Sequence, residues 1–247
     1  MDFIGIIPAR YASTRFEGKP LCKIGAKTMI ERTYNQVAKV KEFSEIVVAT
    51  DDVRIYDEVV SFGGKAVMTS PSHSSGTDRC AEAFQQLNYP WKNTVIVNIQ
   101  GDEPFIKPEQ IQELIACFSF PDVQIATLIK KIDSQETLAN PNVVKVVISN
   151  ENKALYFSRH PIPFLRNGSF EGVNFYKHIG IYAYRADVLA DLVKIQPSSL
   201  EKAESLEQLR WLQAGYAIYT QHTQYEASAG IDTPQDLENC LNYDFCD

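Results

Sequence analysis

Four short apolar runs, Phe3 to Pro8, Glu45 to Thr50, Lys65 to Ser70 and Thr94 to Gln100, constrain this chain more than any other feature. Apolar through most of their length and bounded by turn-forming residues, they read as buried strands. Between them side chains recur at helical spacing: Met29, Ile30, Thr33, Tyr34 and Val37, then Val53, Tyr56 and Val60, then Ala81, Phe84 and Leu87. Strand and helix in alternation predict an α/β fold, with a mostly parallel central sheet, right-handed crossovers and helices on both faces.

The alternation weakens after about position 120. Gln124 to Ile132, Val143 to Ser149, Ala154 to Ser158 and Tyr176 to Tyr184 read as further strands with fewer helices between them, which predicts a smaller mixed lobe. Leu200 to Gln213 predicts one helix, and Pro234 to Leu241 a closing helix capped by Thr233. Asn167 to Asn174, with two glycines and little apolar content, is the expected mobile loop. No repeat or low-complexity linker divides the chain, so its 247 residues are expected to form one domain, 1–247.

A formal net charge of -7 argues against a nonspecific nucleic-acid binder, which needs broad positive surface. No stretch approaches the roughly 20 apolar residues of a membrane helix. The opening MDFIGIIPAR does not read as a signal peptide, so a cytoplasmic protein without a membrane partner is expected. Cys22, Cys80, Cys117, Cys240 and Cys246 lack CxxC spacing, which disfavours zinc and a disulfide framework.

Against the acidic average stands one local knot of cations. Arg10, Arg15 and Lys19 fall within ten residues after the first strand, in a loop that also holds Ser13, Thr14 and Gly18. Ligands of open α/β sheets sit beyond the carboxyl ends of strands, where backbone amides and cationic side chains suit phosphates. A triphosphate site is the inference. It is not a P-loop, which requires glycine where Ser13 stands and Ser or Thr where Pro20 stands. Asp102, in a Gly-Asp-Glu-Pro turn straight after a strand, is placed either as a magnesium ligand or as a turn-forming residue. Asp52 is well placed to cap the helix beginning at Val53, and that role is preferred to one in catalysis for the Asp51–Asp52 pair. No DxD metal motif occurs, which disfavours a glycosyltransferase.

The first loop, IIPARYASTRFEGKP, resembles that of the sugar nucleotidyltransferases, PARxxSxRxxGKP. SSGTDR at Ser74 to Arg79, NIQGDEP at Asn98 to Pro104, YFSR at Tyr156 to Arg159, YKHIGIYAYR at Tyr176 to Arg185, ESLEQLR at Glu204 to Arg210 and GIDTPQDL at Gly230 to Leu237 follow in order. Together they narrow the resemblance to the cytidylyltransferases that act on 3-deoxy-manno-octulosonate. Glu17 departs from the pattern, standing where the usual loop has proline.

The resemblance implies a Rossmann-like nucleotide-diphospho-sugar transferase fold, with a CTP-binding half at about 1–120 and a sugar-binding and dimerisation half at about 121–247. It assigns CTP to Pro8, Ala9, Arg10, Arg15, Lys19, Ser75, Gly76, Thr77, Arg79 and Gln100, with Gln100 offering the donor and acceptor a cytosine edge demands. The acidic sugar falls to Arg159, His178, Tyr182, Glu207 and Gln208, and Mg2+ to Asp102 and Asp232. Arg10, Lys19, Asp102 and Asp232 form the implied catalytic set, and a homodimer is expected. The 8-amino sugar or a sialic acid is the nearest alternative substrate, and a non-catalytic CTP-binding module a more distant one. Read without the family, Thr77 and Arg79 suit a helix cap and a solvent-facing cation, and His178 a satisfied core histidine.

Overall fold

The computed structural model describes residues 1–12, 16–166, 168, 170, 172–226, 231 and 235–237. In chain order the strands are β1 (Asp2–Ala9), β2 (Lys23–Ile24), β3 (Lys27–Thr28), β4 (Phe43–Thr50), β5 (Ala66–Met68), β6 (Thr94–Asn98), β7 (Ile125–Lys131), β8 (Lys145–Ile148), β9 (Ala154–Ser158), β10 (Tyr176–Arg185) and β11 (Ile218–His222). The α-helices are α1 (Met29–Val37), α2 (Val53–Ser61), α3 (Gly76–Gln85), α4 (Pro108–Ala116), α5 (Gln135–Ala139), α6 (Ala186–Leu192), α7 (Ser199–Glu204) and α8 (Gln208–Gln213).

All four early runs are strands, and the main path of the sheet runs β11-β7-β10-β6-β1-β4-β5. β1 pairs in parallel with β4 and β6, and β4 in parallel with β5. Successive residues point to opposite faces, so each strand feeds two cores. Ile4, Ile6, Val47, Ala49 and Ile96 pack on one side with Ala83 and Phe84 of α3. Ile7, Val48, Val95 and Val97 pack on the other with Ile30 and Val37 of α1, Ile55 and Val59 of α2, and Ile111 and Leu114 of α4. Helix cover on both faces is why these strands carry no polar alternation.

The later strands extend the same sheet. β10 runs antiparallel between β6 and β7, with Tyr182 opposite Asn98. Its direction carries the residues preceding Tyr182, His178 among them, past the carboxyl end of β6. β8 pairs with the first residues of β10 and with β9, forming the smaller extension.

The expected helix over 200–213 is corrected to two. Ser205 adopts left-handed backbone (φ 52, ψ 49) and ends α7, and the chain turns again before α8. Gln235 to Leu237 are helical, while the expected cap Thr233 and the remainder of the closing helix lie outside the described residues, as do 167, 169 and 171 of the expected loop. Among the described residues no helix is long and apolar enough to cross a membrane.

Candidate active site

β1 has α1 and β4 leading off to one side and β6 returning on the other, so the order of strands reverses beside it. The carboxyl ends of β1 and β6 flank a crevice there, the position where ligands enter open α/β sheets. A cavity of about 280 Å3 fills it, lined by Pro8 and Ala9 at the end of β1 and Arg10 just after it, Lys19 and Pro20 from the first loop, His73 to Ser75 from the approach to α3, Gly76 and Arg79 from α3 itself, and Gln100 to Asp102 after β6.

Two glycines allow these segments to converge. A Cβ on Gly101 would sit 3.0 Å from the Pro8 carbonyl oxygen, and one on Gly76 3.2 Å from Pro8 Cγ and 3.3 Å from Gln100 Nε2. The Ser75 hydroxyl accepts from the Asp78 amide at 3.1 Å and caps α3, so Ser75 rather than Thr77 is the N-cap. Gln100 donates its amide to Asn98 Oδ1 at 2.9 Å.

Lys19 follows Gly18, whose left-handed backbone (φ 69) turns the first loop back toward the sheet. Its amine reaches Asp102 Oδ2 at 2.6 Å, joining the cationic loop to the acidic turn. Burial, with the charge of Asp102, pushes Glu103 up to about 8. Arg10 is exposed at the cavity, and Arg15 and Asp232 lie outside the described residues. A magnesium ion needs one or two carboxylates besides phosphate oxygens and water. Asp102, a half-buried oxygen donor on the cavity wall, fits that requirement.

Arg79 is not the solvent-facing cation that its sequence context suggests. It is 3% exposed, donates to Thr69 Oγ1 at 2.6 Å and lies 3.4 Å from Asp51 Oδ2. Asp51 is thus the counter-ion of a cavity residue, while Asp52 caps α2 through the Arg54 amide at 2.9 Å, as its position predicts. His73, which the motif reading passed over, lines the cavity and bonds Glu82, which also accepts from the Ser70 amide. Its one sequence signal was adjacency to the Ser74–Arg79 string.

A second cavity of about 410 Å3 shares Ser74 and Ser75 with the first and is lined further by Glu201, Lys202, Ser205, Glu207 and Arg210. Of the five residues expected to meet the sugar, Glu207 lines it. Burial raises the Glu207 carboxyl, while hydrogen bonds from Thr77 and Ser75 pull it back down. Tyr182 rests 5.2 Å from the His178 ring, centroid to centroid, and stands edge-on to Trp211. His178 bonds Thr127 Oγ1 at 3.0 Å, and burial pushes it down to about 3, so it is a neutral ring near pH 7. The Tyr182 hydroxyl and Gln208 Nε2 are buried without a hydrogen-bond partner among the described residues, an arrangement suited to a polar ligand or ordered water. Arg159 stands apart: its guanidinium donates to the backbone carbonyls of Glu204, Pro141 and Ser205.

Residues 4–228 match the family model described as cytidylyltransferase. The 3-deoxy-manno-octulosonate cytidylyltransferase of Cytophaga hutchinsonii is 55% identical over 96% of this chain and 95% of its own length. That of Parabacteroides distasonis is 53% identical over 98% of each. A solved CMP:2-keto-3-deoxy-manno-octonic acid synthetase complexed with CTP has a TM-score of 0.91 at 42% identity, covering 98% of this chain and 97% of its own. The 4-diphosphocytidyl-2C-methyl-D-erythritol synthase of Anaerococcus prevotii, at 16% identity and a TM-score of 0.61 over 97% of each chain, shares the fold alone. By the family match and by relatives more than half identical along nearly their whole length, the chain belongs to the cytidylyltransferases, in the branch of the 3-deoxy-manno-octulosonate enzymes.

Proposed function

We propose that this protein transfers CMP from CTP to 3-deoxy-manno-octulosonate and releases pyrophosphate. The observation that carries the reading is the crevice between β1 and β6, with Lys19 and Asp102 at its wall, in a chain so close to an enzyme solved with CTP. The sugar's anomeric hydroxyl attacks the α-phosphorus in line, and the bond to the bridging oxygen of pyrophosphate breaks. Such transfers depend on positioning and charge neutralisation more than on covalent help from the protein.

In this scheme the Gln100 amide and the backbone at Pro8 and Ala9 hold the base, with Gly76 keeping the wall of α3 close. Arg10, Arg15 and Lys19 offset charge as it grows on the leaving pyrophosphate. Asp102, with Asp232, would hold magnesium. When bound, that ion supplies charge withdrawal from phosphate oxygens and a lower pKa for the attacking hydroxyl. Glu207, with Gln208, Tyr182 and His178, receives sugar hydroxyls. Arg159, with three of its five N–H donors on backbone carbonyls, keeps two for the sugar carboxylate. The product would serve lipopolysaccharide synthesis from a cytoplasmic, homodimeric enzyme. The outer strand β9, with Leu155 60% exposed and Phe164 beyond it 81% exposed, supports a dimer through this extension.

The test is pyrophosphate release with four nucleoside triphosphates crossed against the octulosonate, its 8-amino analogue and a sialic acid. Turnover restricted to CTP with the octulosonate is expected. Preference for another acidic sugar would move the substrate assignment, and preference for UTP or ATP with a neutral sugar would overturn the reading.

A further inference from the structure

Thr77 belongs by sequence with the nucleotide-binding string Ser75 to Arg79, yet its hydroxyl points elsewhere. It donates to Glu207 Oε2 at 2.8 Å, across 130 positions of chain. Thr77 is 3% exposed and sits in the first turn of α3, directly after Ser75 and Gly76, which line the first cavity. Glu207 lines the second cavity, and Ser74 and Ser75 line both. One turn of helix is therefore a wall of the first cavity and, through Thr77, a clamp on the carboxylate of the second.

The clamp has the properties of an orienting device. A β-branched residue in a helix has few side-chain rotamers, two for Thr, and burial at 3% exposure keeps Thr77 in the one that meets Glu207. With Oε2 held by that donor and Ser75 also bonded to the group, the carboxylate is fixed in aim, and a carboxylate accepts from several donors at once. We propose that Thr77 is a positioning residue for the sugar, orienting Glu207 toward a hydroxyl of the acidic sugar and serving the nucleotide only through the helix that carries it. This rests on the function proposed above.

Separate Michaelis constants for CTP and the octulosonate, from pyrophosphate release, test it. Thr77→Val keeps the side-chain shape and removes the donor. It is expected to raise KM for the sugar about tenfold, as for the loss of one hydrogen bond to a charged acceptor. KM for CTP should move less than about twofold, and Thr77→Ser should restore the sugar constant. Because the hydroxyl acts through the carboxylate, adding Thr77→Val to Glu207→Gln should cost little beyond Glu207→Gln alone. An unchanged sugar constant, a rise in the CTP constant as large as the sugar's, failure of Thr77→Ser to rescue, or additive losses in the double variant would each overturn the proposal. If Thr77→Val does not fold, Thr77→Ala takes its place with the same expectations. Wild-type turnover in the same assay separates the failures. Its absence with CTP and the octulosonate defeats the function and this proposal together, whereas its presence with an unmoved sugar constant defeats the clamp alone.

Discussion

Lys19 and Asp102 lie 83 residues apart in the chain and 2.6 Å apart in space. Each residue was legible as a candidate because each follows a buried run, but their contact was not, since nothing local in either segment encodes it. The pair makes Asp102 a hold on the loop lysine, and in the proposed scheme Asp102 would also be a ligand for a divalent ion. Asp102→Asn keeps the shape and removes the charge. It is expected to lower kcat at saturating CTP and magnesium about a hundredfold or more, with a few-fold change in the CTP dissociation constant measured by calorimetry. Equal losses in both quantities would leave Asp102 a binding residue only. Arg79 illustrates where residue-level reading ends. Its type and place in the string marked it as a site residue, while its burial depends on Asp51 and Thr69, which reach it from other segments.

Among the elements, the early strands were readable because cover on both faces leaves them apolar throughout, and β9 because its run is short and cleanly bounded. α4, opening on Pro108, and β11, with two exposed residues at its end, lack so sharp a pattern. The break between α7 and α8 was hidden for a different reason. The apolar spacing of Leu200 to Gln213 is helical throughout, and the interruption lies in the backbone of one exposed serine. Left-handed backbone costs a non-glycine residue about 1–2 kcal/mol, and a β-branched residue more. Ser205→Gly is thus expected to raise the thermal midpoint by roughly 2–4 °C, and Ser205→Val to lower it by at least as much, in calorimetric scans. The opposite order would mean that this turn is held by something other than its backbone preference.

For the whole molecule, the sheet continues unbroken from β5 to β11, and the two cores on its faces both draw on residues from before and after position 120. The sequence pattern identified the sheet and its helices but not this continuity, because the pairing of β10 with β6 joins segments far apart in the chain. Leu155 and Phe164 are the large apolar side chains most exposed on the β8–β9 extension. Leu155→Asp combined with Phe164→Asp is expected to convert a dimer to a monomer in sedimentation velocity, with the thermal midpoint reporting whether the monomer stays folded. An undisturbed dimer would assign the contact to another face. The position of β10 also bears on how the polypeptide is made. β6 ends at Asn98, and β10, its partner on the flank away from β1, does not begin until Tyr176. At ~5–20 residues per second on the ribosome, the nascent parallel half waits several seconds with one flank of β6 unpaired. A bare strand flank of this kind invites pairing with a neighbouring chain. Chaperone demand during translation should therefore peak in that interval, and a fragment stopping near residue 120 would carry the same exposed flank permanently.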